Sequence, residues 1–265
     1  MKKVNFVFRL TLSIIMVLNL SRCVSVRTFH NDKVDIGFLK NKGEVNFGAS
    51  FDTNDETSGI NGNVMFSPAE HLLIGAGYSF FSYNFLHREH DANDPGFDED
   101  EDKGQLEGYK LRANIGYYNN FGREGTNYLE TMFTASYGQN HLKLGVDGSN
   151  SGFNFYEYRP FSIAGQIGIG KNLDNIAFLG GIKLQYYNFQ EQIPLVRDGG
   201  EPSTTDGIVI GELFMGARFG NGPVKGNVQI SISNNLTSAF YDSEPIPAVS
   251  AGISFVFGRK KEITL

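Results

Sequence analysis

Period-two alternation, sustained over stretches of nine or more residues and repeated along the chain, constrains this sequence more than any other feature. Val224, Gly226, Val228, Ile230 and Ile232 alternate with Lys225, Asn227, Gln229, Ser231 and Ser233. Successive side chains of a β-strand point to opposite sides, so this stretch has one apolar and one polar face. Val249, Ala251, Ile253, Phe255 and Phe257 repeat the pattern against Ser250, Gly252 and Ser254, as do Tyr109, Leu111, Ala113, Ile115 and Tyr117 against Lys110, Arg112, Asn114 and Gly116. Beyond the first 22 residues no run reaches the roughly eighteen apolar residues that a membrane helix needs. Glycine and aromatic residues are abundant, with 32 Gly, 23 Phe and 12 Tyr, in the direction of twisted, turn-rich sheet.

Ten strands are expected, beginning near Gly43, Gly59, Leu72, Leu106, Asn127, Tyr156, Ile176, Ile208, Val224 and Ala248, with eight as the alternative count. The connections between them alternate in length. Short ones fall at Ser67–His71, Asn119–Thr126, Lys171–Asn175 and Gly220–Pro223; mostly longer ones fall at Asp52–Ser58, Asn84–Gln105, Asp147–Asn154, Glu191–Gly207 and Asn234–Pro247. An even strand number with short turns at one end and long loops at the other is the layout of an all-β, antiparallel up-and-down transmembrane β-barrel, turns periplasmic and loops outside.

A soluble barrel would also alternate, so the choice rests on which residues share a face. Glu44, Lys110, Arg112, Glu130, Gln166, Lys183, Glu212, Arg218 and Lys225 fall on the polar faces, opposite rows of Leu, Ile, Val, Phe and Tyr. That combination suits a polar lumen and a lipid-facing exterior, and makes Glu44, Lys110, Arg112, Glu130, Lys183, Glu212, Arg218 and Lys225 the expected lumen-lining set. Aromatic residues near strand ends, namely Tyr78, Phe80, Tyr117, Tyr128, Tyr137, Tyr186, Phe219 and Phe257, are expected in interfacial girdles.

Lys2, Lys3 and Arg9 precede an apolar run from Leu10 to Leu20, the pattern of a secretory signal peptide. The run ends at Leu20-Ser21-Arg22-Cys23, which is similar to a lipoprotein cleavage box, although Arg22 stands where a small residue is usual. Cys23 is the sole cysteine, which excludes an intramolecular disulfide and makes it the expected lipidation site. The chain thus divides into a signal peptide (1–22), an N-terminal periplasmic segment (23–42), an outer-membrane barrel (43–258) and a C-terminal tail (259–265).

The stretch Leu39-Lys40-Asn41-Lys42-Gly43-Glu44-Val45-Asn46-Phe47, followed by Met65-Phe66-Ser67-Pro68-Ala69-Glu70-His71-Leu72, resembles the opening of small outer-membrane β-barrel proteins of the Bacteroidetes. The resemblance implies an outer-membrane location and supplies no catalytic residues. The segment after Phe257 departs from the barrel habit of ending on an aromatic residue.

No enzymatic signature emerges. Barrel phospholipases and deacylases pair a histidine with a serine two residues later, but His30, His71, His87, His90 and His141 are followed at that spacing by Asp32, Leu73, Glu89, Ala92 and Lys143. The Asp-x-His pair of omptin proteases is absent from the sequence. Gly165-Gln166-Ile167-Gly168-Ile169-Gly170 continues a strand pattern and is no phosphate loop. The acidic run Asp98-Glu99-Asp100-Glu101-Asp102 reads as a solvated outer loop; Asp98, Asp100 and Asp102 are weak candidates for a divalent cation, and no other cofactor is expected. A net charge of −6 argues against a nucleic-acid partner. The expected partners are outer-membrane lipid and a larger envelope protein complex. The expected role is a non-enzymatic structural or interaction one, the alternative being a narrow channel or small-ligand carrier with a charged lumen.

Overall fold

The structure is a computed structural model, and it describes residues 33–54, 57–88, 101–122, 125–145, 153–173, 175–189, 207–236 and 246–258. Eleven strand segments occur among these: β1 (Val45–Asn54), β2 (Thr57–Phe66), β3 (Leu72–Arg88), β4 (Glu101–Phe121), β5 (Asn127–Gly145), β6 (Phe153–Tyr158), β7 (Pro160–Asn172), β8 (Ile176–Phe189), β9 (Gly207–Phe219), β10 (Val224–Asn235) and β11 (Ile246–Phe257). β6 and β7 are two pieces of one strand. Both pair with β5 in a single register, Asn140 facing Tyr158 and Tyr137 facing Phe161, and the ladder lapses where Pro160 has no N–H to give.

Each strand is antiparallel to its chain neighbours, and β1 closes the sheet by pairing with β11, Val45 against Phe257 through Asn54 against Ala248. The result is a closed ten-stranded up-and-down barrel. Following the paired residues once around it displaces the register by about 12 residues, which for ten strands fixes a tilt of about 40° and a radius of about 10 Å to the Cα positions. Inward side chains reaching 5–6 Å then leave a bore of about one polypeptide's width.

The faces are the reverse of those of a soluble protein. Along β7, Phe161, Ile163, Ile167 and Ile169 are exposed while Ser162 and Gln166 are buried. The same inversion places Phe47, Ile60, Leu111, Phe133, Ile182, Leu213 and Ile253 on the outer surface, with Leu213 61% exposed, and Asn61, Ser79, Lys110, Arg112, Thr134 and Ser254 inside. A closed sheet that leaves such residues outward has its backbone groups paired and its apolar belt presented to hydrocarbon, which is the solution for a strand-built membrane span.

Exposed aromatic residues frame the belt. Tyr78, Phe80, Tyr137, Phe161 and Tyr186 stand at the loop end, and Phe47, Tyr117, Phe121, Phe178, Phe219 and Phe257 at the turn end. Tyr128 is a correction to the expected girdle: it is fully buried and faces inward, because it shares strand parity with Glu130 and Met132. Beyond the loop-end girdle the outer surface of β4–β6 turns polar, with Glu107, His141 and Glu157 exposed and Gln139 joining Tyr109 to Glu157 by hydrogen bonds of 2.9 and 2.6 Å. β3, β4 and β5, at 17, 21 and 19 residues, are longer than the roughly 9–11 residues that cross a bilayer and project past it on this side. Leu213→Arg, in the middle of the belt, is expected to lower stability by about 2–4 kcal/mol. His141→Arg, above it, is expected to change stability by no more than about 0.5 kcal/mol. Urea unfolding of the protein in phospholipid vesicles checks both, and equal effects would refute this placement of the belt.

Other boundaries shift by smaller amounts. The turn before β1 extends through Gly43, whose φ of 83° favours glycine, so the strand starts at Val45. Asp52, expected in the first outer loop, is a buried residue within β1, and the strands flanking the second outer loop run on to Arg88 and back to Glu101.

Candidate functional site

The lumen is occupied by the chain's own N-terminal side. Residues 33–42 were expected in the periplasm, as part of segment 23–42; of these, residues 33–39 lie inside the barrel, with Val34, Asp35, Phe38 and Leu39 at most 4% exposed. The segment runs from Lys33, whose Nζ meets Asp52 at 3.7 Å, down to Lys40 at the turn end, where its carbonyl accepts a bond from Asn120 Nδ2 at 3.2 Å. Asp52 lies seven residues into β1, so the Lys33 ammonium stands about 18 Å above the turn-end rim.

Wall side chains hold this segment at both main chain and side chain. Glu130 accepts the amide of Gly37 at 3.0 Å and that of Phe38 at 3.3 Å, and the same carboxyl group accepts the Tyr128 hydroxyl at 2.6 Å. Gln166 donates to the Asp35 carbonyl at 2.7 Å, and Asn46 to that of Gly37 at 3.1 Å. The Phe38 carbonyl receives both Arg218, at 2.9 Å, and Asn172, at 3.3 Å. Asp35 itself forms an ion pair with Arg112 Nε at 3.0 Å, both side chains essentially excluded from solvent, and takes further bonds from Asn114 at 3.1 Å and Asn63 at 3.3 Å. Arg112 also donates to Ser79 and Asn61.

Below this polar layer lies an apolar floor. Phe38 and Leu39 pack into a cluster of Val34, Met65, Leu73, Tyr118, Tyr128, Met132, Ala177, Leu179 and Phe214. Phe38 stacks on Tyr128 with ring centres 6.1 Å apart, and the Arg218 guanidinium lies over its ring at 5.0 Å from the centre. Phe38 adopts a φ of 48°, a left-handed conformation that costs a non-glycine residue free energy and that these contacts hold in place.

Of the lumen-lining candidates, Lys110, Arg112, Glu130, Lys183, Glu212 and Arg218 are all buried inside the barrel. Lys183 and Glu212 face one another across β8 and β9 and form an ion pair of 3.4 Å. Lys110 lies 4.7 Å over the Tyr187 ring. Glu44 and Lys225 sit half-buried at the turn-end rim, Glu44 taking a bond of 2.7 Å from Asn41 Nδ2 and Lys225 donating to the Gly220 carbonyl. Cys23, Asp98 and Asp100 lie outside the described residues, as does the Asp102 side chain; among the described residues no grouping of His, Cys, Asp and Glu fits a metal.

Asp35 and Lys33 are the partners that the strand pattern did not reveal. A signal was available in the expected lumen set itself, which holds more cations than acids. Ions in a low-dielectric interior require compensation, so an anion from elsewhere in the chain was called for; Asp35 supplies it to Arg112, while Asp52 pairs with Lys33, the cation that the segment itself brings in.

No family model matches the chain, and no curated protein matches it. Among solved structures it is similar to the translocator domain of the autotransporter NalP from Neisseria meningitidis, at 11% identity over 82% of this chain and 90% of that one, with a TM-score of 0.44. It is likewise similar to the outer membrane protease OmpT from Escherichia coli, at 13% identity over 81% and 94%, TM-score 0.44. A third similar structure is the β domain of the Bordetella autotransporter BrkA, at 12% identity over 81% and 99%, TM-score 0.44.

Proposed function

We propose that this chain is a non-enzymatic outer-membrane β-barrel whose role in the bacterial envelope is structural or interactive, exerted through its outer surface and loops rather than by transport. The observation that carries this reading is the occupied lumen. Residues 33–39 and the side chains that hold them leave beside them a cavity of about 50 Å³, room for one or two water molecules. Burial of the ionisable groups in pairs and hydrogen-bonded clusters supports a locked interior rather than a conducting one. Export through the leader at residues 1–22 and acylation of Cys23 belong to the same reading, as does membership of a larger envelope complex; a fatty-acid label that Cys23→Ala abolishes would accompany it.

A second reading, a narrow channel or small-ligand carrier, draws support from the polar layer around Arg112, Lys183 and Glu212. Planar bilayers separate the two. The intact protein is expected to show no stable conductance steps; steps whose size or selectivity changes in Arg112→Glu would replace the scaffold reading with the channel.

A further inference from the structure

The way residues 33–39 are held resembles the capture of a ligand more than the packing of a structural element. None of the strand pairings among the described residues includes this segment, so it lies in the barrel without joining the sheet. Its main chain is read instead by wall side chains: carbonyls of Asp35, Gly37 and Phe38 by Gln166, Asn46, Asn172 and Arg218, amides of Gly37 and Phe38 by Glu130. Hydrogen bonds to main-chain amides and carbonyls give a peptide site affinity, and pockets for selected side chains give it specificity.

Two such pockets are present. One is cationic and amide-rich, formed by Arg112, Asn63 and Asn114 around the Asp35 carboxylate. The other is the apolar floor that takes Phe38 and Leu39. A Cβ on Gly37 would stand 2.4 Å from Leu73 Cδ1 and 3.0 Å from a Glu130 oxygen, so a larger residue between the pockets would have to push the buried Leu73 side chain aside, and the position favours glycine. On the side of the barrel where Gly48, Ser50, Gly216, Ser250 and Ser254 line the remaining cavity, the contacts come from the segment's side chains: Lys33 donates to Ser50, and Ile36 lies over Gly216, where a Cβ would stand 2.5 Å from its Cδ1.

We propose that the lumen is a peptide-binding site for a segment carrying a carboxylate three residues before an aromatic–aliphatic pair, with glycine directly before the aromatic residue, and that residues 33–39 are its resident ligand in cis. This rests on the plugged lumen described above and adds to it a ligand class. A site of this kind, once vacated, accepts the same sequence in trans.

The test uses the full chain refolded in detergent, with the mobility shift between unboiled and boiled samples as the criterion of folding. Asp35→Arg sets a second guanidinium against Arg112 and is expected to expel the segment. A fluorescein-labelled peptide of sequence KVDIGFLK should then bind this variant at least tenfold more tightly than it binds the intact protein, whose site is filled. The same peptide with asparagine for its aspartate should lose at least tenfold in affinity, and one with alanine for its phenylalanine a similar amount. Equal binding to variant and intact chain, or indifference to the aspartate, overturns the proposal. Should Asp35→Arg not fold, Phe38→Asp takes its place; if neither folds, the segment is an obligatory part of the fold and the proposal falls. Conductance of the intact chain would contradict the plugged-lumen reading while leaving this peptide result to be read separately.

Discussion

Arg112→Met is expected to destabilise the folded barrel by about 3–5 kcal/mol, because removing one member of a buried ion pair leaves the other as an uncompensated charge. Asp35 would be that residue: its carboxylate, essentially inaccessible to solvent, would keep the amide donors Asn63 and Asn114 and the longer-range attraction of Lys33, but no ion-pair partner in contact. Ser79 and Asn61 would lose the guanidinium as well. The double variant Arg112→Met with Asp35→Leu removes both charges together and is expected to recover most of the loss, since an apolar pair of similar volume is often as stable as a buried ion pair. Urea midpoints measured in the same vesicles, at unchanged slope, give the comparison. A double variant no more stable than the single one would show that the charge left behind is not the source of the cost.

Glu130→Ala should release the plug without abolishing the barrel. The carboxyl group of Glu130 is the acceptor for Gly37 and Phe38 amides and for the Tyr128 hydroxyl, all in the closed interior. Each buried donor left without a partner costs about 1–3 kcal/mol, so the loss at this one position amounts to about 3 kcal/mol or more. Read as hydrogen exchange, protection of the Gly37 and Phe38 amides is expected to fall by about 100-fold, at roughly tenfold per 1.4 kcal/mol. Amides of β4 and β5 distant from the site should change far less. Glu130→Gln keeps an acceptor oxygen and is expected to retain part of the protection. Unchanged exchange at both amides in the alanine variant would mean that the segment is held by its apolar side chains alone.

How much of this was legible beforehand follows from which physical signals are local. The lipid-facing rows and the inward charges repeat at every second residue, and a strand's parity carries that information without knowledge of its neighbours; Leu111, Ile115, Lys110 and Arg112 illustrate it. Parity places Tyr128 inside while its position near a strand end points to a girdle; the two criteria disagree there, and parity prevails. Strand ends above the membrane were harder to see. Around Glu107, His141 and Glu157 the outer face is as polar as a loop, so the alternation fades although the ladder between β4 and β5 continues to Gly104 and Leu144. Residues 33–39 have no periodicity at all. Their burial is decided by closure of a sheet whose strands come later in the chain, and nothing within Val34-Asp35-Ile36-Gly37-Phe38-Leu39 distinguishes a lumenal segment from a short linker.

The seam and the plug belong to the same stretch of chain. β1 pairs with β11, the last strand, and is joined directly to residues 33–39 by the turn at 41–44, where Glu44 bonds back to the Lys40 amide. A barrel that had already closed would have to be threaded from its rim by a tethered segment carrying a lysine and an aspartate through an apolar floor. If the first strand is instead the last to be seated, the segment is swept in with it, and its two charges meet Arg112 and Asp52 as the edge disappears. Under that order of events, the residues that fill the bore also report that the ring is complete.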